Sequence, residues 1–281
     1  MSDTAVRVRE LRKTYGDVSA VDGIDLDIAR GEVFALLGPN GAGKTTTVEI
    51  LEGHRHRDGG EVSVLGEDPG RAGRAWRSRL GMVLQSATDA AEFTVRETVH
   101  HFAGYFPRPR DPDSVIELVG LTDKADARVR TLSGGQRRRV DVALGVVGDP
   151  ELLFLDEPTT GFDPEARRQF WGLISLLSDE GATILLTTHY LDEAEALAHR
   201  VGVIAEGRIV ALGEPATLAG RAEADATVSW ATPDGERKVK TATPTQVVAE
   251  LIAQFDGEIP ELTVSRPTLE DIYLGLIGEK T

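Results

Sequence analysis

Polar and apolar residues alternate in two early stretches. "VRVREL" sets Val6 and Val8 on one side, and "IDLDI" does the same with Ile24, Leu26 and Ile28. A period of two predicts strands with one buried and one wetted face, the habit of an antiparallel sheet. The pattern then changes. "EVFALL", "ELLFLD" and "ATILLTTH" are short, continuous apolar runs bounded by turn residues. Such runs suit a buried parallel sheet with helices on both faces. Between them, Val140, Leu144 and Val147 recur at helical spacing, as do Phe170, Leu173, Ile174 and Leu177. "VGVIAEGRIVALG" reads as a hairpin turning at Glu206–Gly207.

Past about Gly220 the texture shifts. "DATVSW" and "RKVKTA" are predicted strands joined by the turn "TPDGE". "PTQVVAELIAQF" puts Val247, Val248, Leu251, Ile252 and Phe255 on one helical stripe. "IPELTVS" is a further strand, and "PTLEDIYLGLIG" a last helix capped by Gly278. The expected organisation is an α/β domain over residues 1–218 and a small α+β domain over 219–281, with no internal repeat.

A chain of 281 residues has room for this arrangement, and 41% hydrophobic with 27% charged residues is ordinary for a globular protein. The absence of cysteine excludes disulfides and thiolate zinc sites and fits a reducing compartment. The start, "MSDTAVRVRE", has no cleavage signal, and runs such as "VFALL" are too short to cross a bilayer. Service to a membrane is therefore expected from the cytoplasmic side, through a partner. A net charge of −15 argues against general nucleic-acid binding, which needs basic residues to neutralise phosphates. The local run Arg137–Arg138–Arg139 reads as a solvated helix face. The pairs His54/His56 and His100/His101, without nearby acids or cysteines, are not expected to bind metal, and His199 is taken as structural.

Two small-residue loops each run into a helix. The first, "GPNGAGKTT", follows a strand, and Gly38, Gly43, Lys44 and Thr45 fit the pattern of a phosphate-binding loop. Glycines let backbone N–H groups converge on an anion, and the following helix adds the positive end of its dipole. Lys44 would reach the terminal phosphates and the Thr45 hydroxyl would ligate Mg²⁺. "ELLFLDEPTTGFD" ends an apolar strand in Asp156 and Glu157. Asp156 would hold the metal and Glu157 polarise an attacking water; ligands of open α/β sheets bind at this strand end. The second loop, "LSGGQRRRVDVAL", has helix-start geometry but no lysine.

The order "GPNGAGKTT", "LSGGQRRR", "LLFLDEPTTGFDP", "TTHYLDEAEAL" resembles the nucleotide-binding subunit of an ATP-binding cassette (ABC) transporter. The resemblance covers about Val6 to Gly213. It implies a P-loop NTPase of α/β class: a RecA-like parallel sheet, an antiparallel β subdomain and a helical subdomain at about 86–150. It also implies ATP and Mg²⁺ as ligands, with the whole loop Gly38, Pro39, Asn40, Gly41, Ala42, Gly43, Lys44, Thr45 and Thr46 around the phosphates. In the family two cassettes pack head to tail. Ser133, Gly134, Gly135 and Gln136 would therefore serve the nucleotide of a second copy. By the same resemblance Tyr15 stacks on adenine, and Gln85 contacts Mg²⁺ and water. Asp163 belongs to the loop crossing the dimer interface, with Phe162 where leucine is usual, and His189 senses the γ-phosphate.

The sequence, with its tail "RPTLEDIYLGLIG", looks most like the ABC-2 type, whose ATPases pair with a separate membrane permease and drive export of drugs, lipids or polysaccharides. The alternative is a non-transport ABC ATPase of DNA repair or translation. The short gap between Lys44 and Leu132, the single cassette, the absence of cysteine and the acidic balance favour transport.

Overall fold

A computed structural model describes residues 4–83, 92–255 and 257–278. The chain divides into two compact units, Met1–Val210 and Ala211–Thr281. The division falls ahead of the boundary placed at 218/219 from the sequence.

The first unit begins with β1 (Thr4–Tyr15), β2 (Val18–Ala29), β3 (Val33–Leu37), α1 (Lys44–Leu51), β4 (Gly59–Val64), the single turn α2 (Arg74–Arg77) and β5 (Leu80–Val83). Helices α3 (Val95–Ala103), α4 (Pro112–Leu118) and α5 (Gly134–Val146) follow. The unit closes with β6 (Leu152–Asp156), α6 (Pro164–Asp179), β7 (Thr183–Thr188), α7 (Leu191–Leu197), β8 (Arg200–Ala205) and the start of β9 (Arg208–Gly213), a strand the division at Val210 cuts.

β1 pairs antiparallel with both β2 and β4. Val6, Val8, Ile24, Leu26 and Ile28 are all buried, as the alternation requires. On the wet face, Arg9 donates to both carboxylate oxygens of Asp27, at 2.9 and 2.7 Å. The second sheet has six strands in the order β5-β6-β7-β3-β8-β9. β3 runs parallel to β7 and β8, and β6 parallel to β5 and β7. Every residue of β3 and β7 is buried, which explains their unbroken apolar runs. β8 turns into β9 through Glu206 and Gly207, whose φ values of 49° and 75° suit a tight hairpin. The sequence reading missed β4 and β5; β5 has only four residues, too few to show a period.

One apolar cluster joins the antiparallel sheet, α1 and one face of the parallel sheet through Val8, Ile24, Ile50, Leu51, Phe34 and Phe154. Trp76 is buried in it and its indole N–H donates to the Val64 carbonyl at 2.8 Å. The glycine-rich loop after β3 and the acidic end of β6 are thus mounted on one packed core. Helices α3 and α4 start where capping chemistry permits. Thr94 and Glu97 form a reciprocal capping box, and Asp111 caps α4 ahead of Pro112.

The second unit has β10 (Ala226–Thr232), β11 (Gly235–Thr241), α8 (Pro244–Gln254), β12 (Thr263–Ser265) and α9 (Leu269–Gly278). The strand order is β11-β10-β12 and both pairings are antiparallel. Val228, Trp230, Leu251 and Ile259 form its core, with Val247, Val248 and Phe255 against them. Ile252 departs from the expected stripe and is 60% exposed. It lies one position, about 100° of helix, beyond Leu251. Gly278 is still within α9, so the cap expected there borders the end of the described residues. Among the described residues, no helix is long and apolar enough to cross a membrane.

Candidate nucleotide site

β3 ends at Leu37 and α1 begins at Lys44. The loop between them leaves no space for side chains at two points. A Cβ on Gly38 would stand 2.3 Å from the Ile204 carbonyl oxygen, and one on Gly43 2.3 Å from that of Ala20. Gly43 also has φ +106°, a conformation that L side chains rarely adopt. Its position at the N-cap of α1 leaves the first amides of the helix without intrahelical partners. The Lys44 ammonium folds back over the loop, donating to the carbonyls of Gly38 at 2.6 Å and Pro39 at 3.1 Å. Burial lowers the Lys44 pKa, while Glu157 and Asp156 act to raise it.

Lys44 lines a cavity of about 320 Å³ together with Tyr15, Ala20, Asn40, Gly41, Gly43, Thr45, Thr46, Asp156 and Glu157. Eight of the predicted residues beyond Lys44 itself are therefore brought together on one wall or the other: Tyr15, Asn40, Gly41, Gly43, Thr45, Thr46, Asp156 and Glu157. Tyr15, at the end of β1, is 41% exposed, with Lys13 Nζ 5.5 Å and Arg55 Cζ 5.3 Å from its ring centre. A partly exposed aromatic ring beside a glycine-rich loop is a group that can stack on a planar base.

The opposite wall is the end of β6. Asp156 accepts from the Thr187 hydroxyl at 2.5 Å. Glu157 has φ 43°, and its N–H donates to the Thr187 carbonyl at 3.0 Å. The turn thereby aims the Glu157 carboxylate into the cavity instead of along the strand. One carboxylate oxygen lies 3.2 Å from His189 Nδ1, and the other accepts from the Thr160 hydroxyl at 3.3 Å. His189 sits just past β7 with its ring 4.1 Å from that of Tyr190. A carboxylate held by an imidazole and a hydroxyl is oriented for work as a base.

Glu52, next after α1, was not singled out by the sequence. It is 3% exposed. Burial, with Asp156 and Glu49 adding like charge, pushes its carboxyl up to about 7. Arg138 is the clearest correction. The expected solvated run is solvated only at Arg137; Arg138 is buried. Its guanidinium donates to the carbonyls of Pro158 at 3.0 Å and Asp156 at 2.9 Å. Arg139 is half-buried and donates to Gln169 at 2.6 Å. Two histidines correct the expectation that acids are absent beside them: His54 lies 3.4 Å from Glu52 and His100 3.5 Å from Asp113. Among the described residues no group of three or more His, Asp or Glu could hold a metal ion. His199 Nδ1 accepts the Val33 N–H at 2.9 Å.

The second loop caps α5. Ser133 Oγ accepts the Gln136 N–H at 3.2 Å, and Gln136 Oε1 accepts the Ser133 N–H at 3.0 Å. Gly134 and Gly135 hold the first two helical positions, where backbone N–H groups point away from the helix. Among the described residues lining the cavity, none comes from this loop. Asp163 likewise caps a helix, α6, accepting from the N–H groups of Glu165 and Ala166 at 3.0 and 2.8 Å. Phe162 packs edge-on against Phe170. Gln85 lies outside the described residues.

A sequence profile of the ABC transporter family matches residues 21–160. A daunorubicin resistance ATP-binding protein of Streptomyces coeruleorubidus is 37% identical across 99% of this chain and 98% of its own. This chain belongs to the ABC transporter family. A Nod factor export ATP-binding protein of Paraburkholderia xenovorans is 45% identical over 78% of this chain and 73% of its own. Among solved structures, the cassette cbiO1 of Clostridium perfringens, part of the ABC transporter complex cbiONQ, is 31% identical. It superposes with a TM-score of 0.70 over 76% of this chain and 90% of its own. A bacterial ABC transporter cassette solved as a dimer shares the fold at TM-score 0.65 and 21% identity. The protein is an ATP-binding cassette ATPase, and its cavity lies where the phosphate loop meets the end of a parallel strand.

Proposed function

We propose that this cassette is the ATP-driven subunit of an ABC-2 type exporter. In this reading, two identical copies pack head to tail and work from the cytoplasmic face of a membrane through a separate permease. The relatives named for Nod factor export and daunorubicin resistance support the direction. The observation that carries the pairing is the position of the two loops. Lys44, Tyr15, Asp156 and Glu157 line one cavity, while the helix start at Ser133 is not among the described residues that line it.

The roles follow from the chemistry of each wall. Loop amides and Lys44 hold the phosphates, and Tyr15 stacks on the base. Thr45 and Asp156 are hard oxygen donors that suit Mg²⁺, with Gln85 a third donor on the family resemblance. Bound there, Mg²⁺ would neutralise developing phosphate charge. Glu157 accepts the proton of the attacking water and His189 holds that carboxylate in place. Ser133 and the amides of Gly134 and Gly135 meet the γ-phosphate held by the partner, and Asp163 lies in the loop between the two copies. Closure driven by ATP is a population shift, and hydrolysis releases it.

The test is the molar mass of the Glu157→Gln variant, by light scattering with and without Mg²⁺–ATP. A monomer that doubles its mass only with nucleotide supports the pairing. A monomer at saturating, verified ATP binding removes it. Hydrolysis by this variant at the wild-type rate removes Glu157 as the base.

A further inference from the structure

Arg138 has no role in the site as described so far, yet it is buried and placed between two functional parts. It lies on α5, the helix capped by Ser133, little more than one turn from that cap. Its guanidinium donates Nε–H to the Pro158 carbonyl at 3.0 Å and Nη2–H to the Asp156 carbonyl at 2.9 Å. These two carbonyls bracket Glu157. The guanidinium is a rigid plane, so two bonds from it fix orientation as well as distance. Asp141, one turn further along α5, stands 3.8 Å from Arg138 and balances its charge. Glu157 itself sits at φ 43° on a turn held from the other side by the Thr187 carbonyl. The start of α5 and the turn that aims Glu157 are therefore clamped together within one chain.

We propose that Arg138 is a positioning residue that links the two nucleotide sites of the dimer, joining the helix start that meets the partner's nucleotide to the turn holding Glu157 over the chain's own. The link rests on the head-to-tail pairing proposed above. When the partner's γ-phosphate draws in Ser133, Gly134 and Gly135, α5 moves as a body and Arg138 carries the Asp156–Pro158 turn with it. A misplacement of about 1 Å in a reacting geometry can cost about a hundredfold in rate, so a small shift is enough to switch the base on or off.

The experiment compares the full-length wild type with Arg138→Met and Arg138→Lys. Four quantities are measured: nucleotide affinity, thermal midpoint, steady-state ATPase parameters and the Hill coefficient for ATP. Arg138→Met is expected to lower kcat by about ten- to a hundredfold and bring the Hill coefficient to unity, with nucleotide affinity unchanged. Arg138→Lys, which keeps the charge and can bond one carbonyl, should recover part of both kcat and cooperativity. A cooperative wild type with an Arg138→Met variant of equal kcat and equal Hill coefficient overturns the link. So does a joint loss of affinity, thermal midpoint and kcat that Arg138→Lys does not mend, since that is the mark of a structural role alone. A Glu157→Gln protein that stays monomeric by light scattering at verified ATP saturation removes the pairing itself, an outcome distinct from the other two.

Discussion

Replacing Glu52 by glutamine tests the electrostatics of the buried end of α1. Glu52 follows α1, is nearly inaccessible to solvent and has Glu49 and Asp156 as like-charged neighbours; His54 Nδ1 is 3.4 Å away. Its carboxyl rises from an ordinary 4.5 to about 7 in the folded protein, chiefly through burial. The sign follows from proton counting. Between these two values the folded state holds a proton that the unfolded state has released, so stability falls as pH rises through the window and levels off above about 7. One pH unit of displacement is worth about 1.4 kcal/mol, so the full loss is on the order of 3 kcal/mol. Glutamine keeps the shape and stays neutral. Glu52→Gln should match the wild type near pH 4 and exceed it by roughly 2–3 kcal/mol at pH 8. Urea unfolding of both proteins across this range measures the difference, followed by a probe of the first unit such as Trp76 fluorescence. A difference that does not change with pH, or a variant less stable than wild type at pH 8, would refute the reasoning.

Gly43→Ala sets a methyl 2.3 Å from the Ala20 carbonyl at a φ of +106°. Such a backbone conformation costs about 1–3 kcal/mol for a residue with a side chain, and the loop must also shift; isothermal titration should show loss of ATP binding, and wild-type affinity would contradict the cradle geometry. Trp76→Ala removes a buried indole and its bond to the Val64 carbonyl, which keeps the Glu67 N–H at 3.1 Å as a donor. The expected loss is about 3–5 kcal/mol, read by denaturant unfolding; Trp76→Phe, which keeps much of the packing and leaves the Val64 carbonyl bonded to Glu67, should lose only about 0.5–1.5 kcal/mol from the unmade hydrogen bond.

The phosphate loop was legible because its chemistry is local. Glycine spacing, Lys44 and Thr45 lie within one short stretch, and the strand before and helix after them are visible in the pattern of apolar residues. Asp156 and Glu157 were legible for the same reason, since an apolar run that stops at two acids marks the mouth of a sheet. Alternation along β1 and β2 identified their buried faces correctly because one side of a strand either meets the core or does not.

What could not be read was which polar side chains are turned inward. Arg137, Arg138 and Arg139 are identical in the sequence, yet only the middle one is buried, because β6 ends opposite that face of α5. Glu52 and Glu49 are both acids on the same helical segment, but only Glu52 is fully buried, and burial lifts its pKa. Thr187 reaches Asp156 from 31 residues away, and Ile252 stands in solvent beside a buried Leu251. Spacing along the chain states which residues share an element and which face of it they occupy. It does not state what stands across from that face. That is settled when strands distant in sequence pair and the helices pack over them, and there the cost of an unpaired carbonyl or a desolvated charge selects the partner.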